Sequence, residues 1–165
     1  MAMSISRHAF DPHDHGACIA SVLDAAELTC ARHGARLTGR RRRVLELVWR
    51  SHRAVKAYDL LAQIADADPS VRPPTVYRAL EFLIAQGLVH RIESLNAFVG
   101  CARPGQPHHE QFLICDGCGT VQEMEVPEVG RSLSKAASVA GFQAEHQMVE
   151  VRGRCDACSQ SAQQP

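Results

Sequence analysis

The sequence predicts an α+β protein: an N-terminal winged helix-turn-helix followed by a small α/β domain held by a four-cysteine zinc clamp. Three observations predict it. Amphipathic segments separated by helix-capping signals occupy residues 17–86, and two short alternating stretches, Leu88–Glu93 and Asn96–Cys101, follow them directly. Past the loop Ala102–Pro107 the pattern changes to strand, strand, helix, strand. Two CxxC pairs, Cys115/Cys118 and Cys155/Cys158, bracket that second half.

Residues 1–16 hold His8, His13 and His15 among Asp, Pro and Gly, and are expected to form a mobile arm. From Ala17 to His33 the apolar residues Ile19, Val22, Leu23, Ala26 and Cys30 recur at three- and four-residue steps, a helix stopped by Gly34. Cys18 and Cys30 read as core or lining residues there. Thr38 is the expected N-cap of a second helix that buries Val44, Leu45, Val48 and Trp49. A third helix is expected over Ala57–Ala67, with Leu60, Leu61 and Ile64 inward, broken by Asp68-Pro69. Pro73-Pro74 opens a fourth, Thr75–Gln86, because proline is tolerated in a first turn. The two alternating stretches then make a wing. Further on, Gln111–Cys115 and Thr120–Val126 read as strands, Pro127–Ala140 as a helix, and Phe142–Arg152 as a returning strand. The helix should turn Val129, Leu133, Ala136, Ala137 and Ala140 to its apolar side. The domain boundaries follow: arm 1–16, winged helix 17–93, wing end and hinge 94–103, second domain 104–158, and a mobile tail 159–165.

Composition narrows the function classes. Of the 165 residues, 45% are hydrophobic and 22% charged, as in an ordinary globular protein rather than a disordered or fibrous one. No stretch approaches the ~20 apolar residues of a membrane span, and the first residues lack a signal-peptide core, so a cytoplasmic address is expected. Residues 1–91 carry 13 Lys and Arg against 9 Asp and Glu, and the remainder 5 against 9, which leaves a basic first half to meet a polyanion. Seven cysteines cannot all pair within one chain, and CxxC pairs without an export signal read as metal ligands.

Two CxxC turns supply four sulfurs for a closed tetrahedral zinc site, which has no open position and therefore stabilises rather than catalyses. The competing reading is a pair of redox dithiols. The 36 residues between Cys118 and Cys155 have room for a strand, a helix and a strand, so the metal would clamp the two ends of one small domain. Further ligand types lie between the halves: His90, Cys101, His108, His109, Glu110 and Glu123. A fold-back at the Pro104–Pro107 loop would gather one Cys, two His and one Glu, a set that suits zinc and disfavours hard cations. Such a site would fix the orientation of the two domains and so act as a switch.

At Pro73-Pro74-Thr75-Val76-Tyr77-Arg78-Ala79-Leu80 the chain resembles the recognition helix of the ferric uptake regulator family. The likeness continues through Gly87-Leu88-Val89-His90, Glu93-Ser94-Leu95-Asn96, His108-His109 and Cys115-Asp116-Gly117-Cys118-Gly119, and covers residues 17–158. Ala57-Tyr58-Asp59-Leu60-Leu61 and the cysteine ending the second wing strand resemble the zinc uptake branch. The resemblance implies a homodimer, a dimerising second domain, and a metal-bound repressor of zinc uptake genes with one structural and one regulatory Zn2+ per chain. It puts His90, Cys101, Glu123 and one histidine of the pair on the sensing ligands. Counting forward from Cys101 gives His109 and counting back from Cys115 gives His108; His109 is the expected ligand. Phe112 stands where many members carry a further histidine, leaving His146 and the spare histidine for a weaker site.

In this fold the recognition helix presents Thr75, Tyr77 and Arg78 to base edges, and Val76, Leu80 and Leu83 face inward. Arg78 suits a guanine edge. Arg40 to Arg43 (Arg41 above all), Lys56 and Tyr58 would contact phosphates of a palindromic operator. The rival signals are iron, nickel or peroxide. A zinc-ribbon adaptor that binds only protein is the rival from another class. No enzyme is expected: the deaminase pattern H-x-E … P-C-x-x-C fails because Ile114 replaces its proline and the gap from Glu110 to Cys115 is too short.

Overall fold

The computed structural model describes residues 9–10, 14–106 and 108–161. Most of the expected arm, His8 and His13 included, and residues 162–165 of the tail lie outside them. The chain divides into two compact units, one of residues 12–106 and one of residues 107–165 with 1–11.

The first unit opens with α1 (His15–Arg32), two residues earlier than the apolar period suggests. The reason is Asp14, whose carboxylate accepts from the backbone N–H of Gly16 at 2.9 Å and of Ala17 at 3.2 Å. In α2 (Gly39–Val48) Thr38 holds the N-cap position, but its side chain makes no capping bond; its carbonyl accepts from Arg42 at 2.9 Å instead. The third helix, α3 (Ala57–Ala67), has the expected bounds, and α4 (Pro73–Ala85) starts on its two prolines. Their shared core is Leu23, Ala26 and Cys30 from α1, Val44 to Trp49 from α2 without Glu46, Leu60 from α3, and Val76, Leu80 and Leu83 from α4. Leu61 and Ile64, expected inward, sit half-buried at its margin.

The wing is β1 (Val89–Ile92) and β2 (Ala97–Gly100), antiparallel, with His90 opposite Val99. Its turn needs one left-handed residue, and Asn96 supplies it at φ 45°. Val55 exchanges two backbone hydrogen bonds of 2.8 Å with Phe98, which ties the α2–α3 connection to the wing. Gly100 lies against the indole of Trp49: a Cβ there would meet Nε1 at 2.0 Å. Gly100→Ala is therefore expected to destabilise the unit by roughly 1–3 kcal/mol, the usual cost of overpacking. Since Trp49 is the sole tryptophan, denaturant unfolding followed by its fluorescence checks this; an unchanged midpoint would show that the ring gives way at no cost.

The second unit contains β3 (Glu110–Cys115), β4 (Val121–Met124), α5 (Pro127–Val139), β5 (Met148–Gly153) and α6 (Asp156–Ser161). Its sheet runs β4-β3-β5, antiparallel between β3 and β4 and parallel between β3 and β5. Buried Gln111 pins the entry to α5, donating to the Val126 carbonyl at 3.1 Å and accepting from its N–H at 2.9 Å. Two expectations are corrected here. The last strand begins at Met148 rather than Phe142, because the chain leaving α5 folds back on it: Phe142 N–H donates to the Ala137 carbonyl at 2.8 Å and Gln147 Nε2 to Ser134 Oγ at 2.6 Å. The start of the tail is helical through Ser161 rather than mobile coil. Leu133 and Val139 of α5, Phe142 just beyond it and Val151 of β5 are exposed.

Candidate metal centres and nucleic-acid interface

Parallel pairing of β3 with β5 sets Cys115 in register with Gly153, so both CxxC turns emerge at the same end of the sheet. The first turn is closed by Gly119 N–H donating to the Cys115 carbonyl at 2.8 Å. Asp116 N–H donates to the Gly153 carbonyl at 2.7 Å, and Arg152 reaches the Asp116 carboxylate at 2.6 Å, which fastens the second turn to the first. The sulfurs of Cys115, Cys118, Cys155 and Cys158 all lie within 4.8 Å of one another. Cys118 and Cys155 are 3.9 Å apart, close to the edge of about 3.8 Å of a sulfur tetrahedron around zinc and far from a disulfide. Gly117 passes so near that a Cβ would meet the Cys158 sulfur at 2.8 Å.

Proton affinities inside the cluster spread widely. Burial raises the Cys115 thiol, but N–H donors from Cys155, Cys118 and Gly117 with the Cys118 thiol outweigh it and bring it down to about 6. The Thr120 hydroxyl, 3.2 Å from the Cys118 sulfur, lowers that thiol as well. Cys158 is pushed up to about 12, first by its hydrogen bonds to the sulfurs of Cys155 and Cys115. Sulfurs packed this closely ionise together only around a cation, which is the behaviour of a metal site. The donor set fits Zn2+.

The wing carries a second pair of ligand types. His90 and Cys101 are both buried, and their ligand atoms lie within 4.8 Å. Cys101 directly follows β2, where its N–H donates to the Leu88 carbonyl at 3.0 Å. The second unit carries another pair: His108 Nε2 lies 2.7 Å from the Glu123 carboxylate, with both side chains almost wholly buried. Here the structure departs from the expectation of His109. The imidazole of His109 stands instead over α5, where a Cβ on Gly130 would meet its Nε2 at 2.7 Å. His146 pairs with Glu110 at 3.5 Å, and among the described residues neither His109 nor His146 belongs to a group of three or more metal-ligand side chains. The wing pair offers an imidazole and a thiol, and the second unit's pair an imidazole and a carboxylate, all donors that zinc accepts.

The candidate DNA contacts all belong to the first unit. Tyr77 and Arg78 are exposed on the first turns of α4, while Val76, Leu80 and Leu83 are buried, as the helical period requires. Thr75 is half-buried and lines a cavity of about 170 Å³ between α2, α3 and α4, so it is set back from the exposed face. Lys56, at the N-cap position of α3, and Tyr58 in its first turn are exposed. The arginine run is less available than its sequence suggests. Arg41 stacks on Phe82, 3.5 Å from the ring centre, and donates to the Arg36 carbonyl at 2.7 Å. Arg42 pairs with Glu27 and Glu46, and Arg43 with Glu46 at 3.3 Å.

His15 is one of the N-terminal histidines that the sequence leaves open as metal ligands, and in the first unit it meets Cys18 and His52, two partners the sequence does not name for it, within 4.8 Å. The i, i+3 spacing of His15 and Cys18 was the visible half of that group.

Residues 32–152 match the ferric uptake regulator family. The zinc uptake regulation protein of Escherichia coli (strain K12) is 43% identical over 138 residues, which covers 83% of this chain and 81% of that protein. The peroxide operon regulator of Bacillus subtilis (strain 168) is 28% identical over 140 residues, 85% of this chain and 95% of that one. A solved zinc uptake regulator complexed with zinc and DNA superposes with a TM-score of 0.83 at 41% identity, covering 87% of this chain and 97% of its own.

Proposed function

Because the chain belongs to the ferric uptake regulator family, we propose that it is a zinc-responsive transcriptional regulator whose zinc-bound homodimer represses zinc uptake genes from palindromic operators. The observation that carries this reading is the pair of buried zinc-type ligands, His90 and Cys101, built into the wing of a helix-turn-helix unit. A ligand pair placed there lets occupancy act directly on the element that reads DNA. His90 and Cys101 would share one ion with His108 and Glu123, and a zinc bound there would cross-link the two units. The Cys101 thiol favours zinc over iron as the signal. Identity of 43% with a zinc uptake regulation protein supports the same choice over the 28% shared with a peroxide operon regulator.

The chain's own residues do the rest. The cluster of Cys115, Cys118, Cys155 and Cys158 keeps the second unit folded. That unit leaves the apolar side chains of Leu133, Val139, Phe142 and Val151 exposed, and they would meet a second copy. Val139→Asp combined with Phe142→Asp is expected to convert the dimer to monomer; sedimentation of an unchanged dimer would move the interface elsewhere. With two copies joined, the α4 helices address half-sites about one helical turn apart, or a multiple. Arg78→Ala is expected to lose about 1–3 kcal/mol of discrimination at one guanine position. Lys56→Ala should weaken all sequences alike and lower the salt slope by about 1. Competition binding against single-base operator variants separates the two. Among the described residues no helix is long and apolar enough to cross a membrane.

The deciding experiment is a zinc titration of protein stripped only of exchangeable metal, following metal stoichiometry and binding to a DNA fragment selected from random sequence. One zinc per chain should resist stripping, and a further tight equivalent should switch on DNA binding. DNA binding that ignores zinc but follows iron or peroxide would keep the fold and overturn the signal. Failure to select any DNA would overturn the regulator.

A further inference from the structure

We propose that His15, Cys18 and His52 form a third, exchangeable zinc site, wholly inside the helical unit and separate from the ligands assigned above. The three ligand atoms lie within 4.8 Å of one another, and they come from two elements that are distant in sequence. His15 and Cys18 are one turn apart on the same face of α1. His52 lies in the turn between the end of α2 and the Val55–Phe98 bridge. The two imidazoles meet edge-on, with ring centres 4.7 Å apart and planes at 61°. His52 in turn stands edge-on to Trp49 at 5.9 Å, which holds the ring at the rim of the core.

The donor chemistry selects the ion. Two imidazoles and one thiol, with no carboxylate among them, are borderline-to-soft donors that suit Zn2+ and give a hard cation little purchase. All three residues are half-buried, so three protein ligands would leave a fourth position open to water. An open, three-ligand site exchanges its ion more readily than a closed four-sulfur clamp.

The position gives the site a consequence. The first two turns of α1 bury nothing fully; Leu23 is the first residue of that helix inside the core. Metal shared with His52 would fix those turns to the connection running from Trp49 to Lys56, which enters α3 and is already bonded to the wing. Zinc would then stiffen the approach to the exposed Lys56 and Tyr58.

The test uses the full chain with its tight sites filled with zinc. Addition of Co2+ should give one more equivalent per chain, with a thiolate-to-cobalt charge-transfer band. That band should vanish in Cys18→Ser, and His52→Gln should weaken the binding at least ten-fold. Both variants should keep the far-ultraviolet dichroism of the parent. A second measurement needs no variant: further zinc should slow alkylation of Cys18, followed by peptide mass mapping, at least ten-fold. The proposal is overturned if no extra equivalent binds. It is also overturned if Cys18→Ser takes up the same equivalent with the same spectrum, or if Cys18 alkylates at the same rate with and without added zinc.

Discussion

Cys118→Ser is expected to strip the chain of its tightly held zinc and to unfold the second unit in the same step. Among the described residues the unit's buried apolar side chains are Phe112, Ile114, Cys115, Val121 and Val126. What fixes the ends of β3 and β5 is the sulfur cluster with the Asp116–Arg152 pair, and the latter is exposed and contributes little. Structural zinc contributes about 10–16 kcal/mol in small sulfur-ligated folds, against a total stability of about 5–15 kcal/mol for an ordinary domain. Losing one thiolate therefore removes an amount comparable to the whole. The expected result is loss of the strip-resistant equivalent by elemental analysis, a monomer in sedimentation, and a partial loss of dichroism. Trp49 lies in the first unit, so its fluorescence should still report cooperative unfolding there. A variant that kept both its zinc and its dimer would sink the clamp.

The sequence carried the helices and the clamp because their signals are local: apolar period, paired prolines, CxxC turns. Where it went astray, a distant partner decided the outcome. Asp14 was hidden among the His, Pro and Gly of the expected arm, so the first helix was started late. The returning strand starts later than the sequence suggests because Phe142 and Gln147 hydrogen-bond back to α5. His52 has no motif around it and becomes a ligand candidate only when α1 lies beside it.

The choice between His108 and His109 shows the same limit from the other side. Counting forward from Cys101 passes through the loop that starts at Ala102, and loops vary in length without moving the elements they join. Counting back from Cys115 runs along β3, where pairing with β4 fixes Gln111 to Ile114 each against a partner, Phe112 opposite Glu123, and reaches His108 two residues before the strand. Position relative to a ladder is conserved in space; position relative to a loop is not. The backward count gives His108, and His108 is the residue found on Glu123.

Cys101→Ser should accordingly abolish the zinc dependence of DNA binding while the strip-resistant zinc and the dimer remain. Serine nearly matches the buried thiol in size, so the wing should keep its fold, but a hydroxyl is a far poorer zinc ligand than a thiolate. The zinc-induced gain in DNA affinity, about 5–150-fold for a typical coupling, should collapse towards unity. By reciprocity the operator should no longer tighten zinc binding, and titrating zinc with and without DNA checks that independently. His108→Ala should reproduce the loss, because the proposed site would lose an imidazole and Glu123 its partner. His109→Ala should leave the switch nearly intact, since that ring rests on Gly130 rather than on Glu123. The reverse pair of results, His109 required and His108 dispensable, would return the assignment to the forward count. Loss of the switch in neither histidine variant, with Cys101→Ser still inactive, would confine the sensing ion to the wing and remove the cross-link from the mechanism.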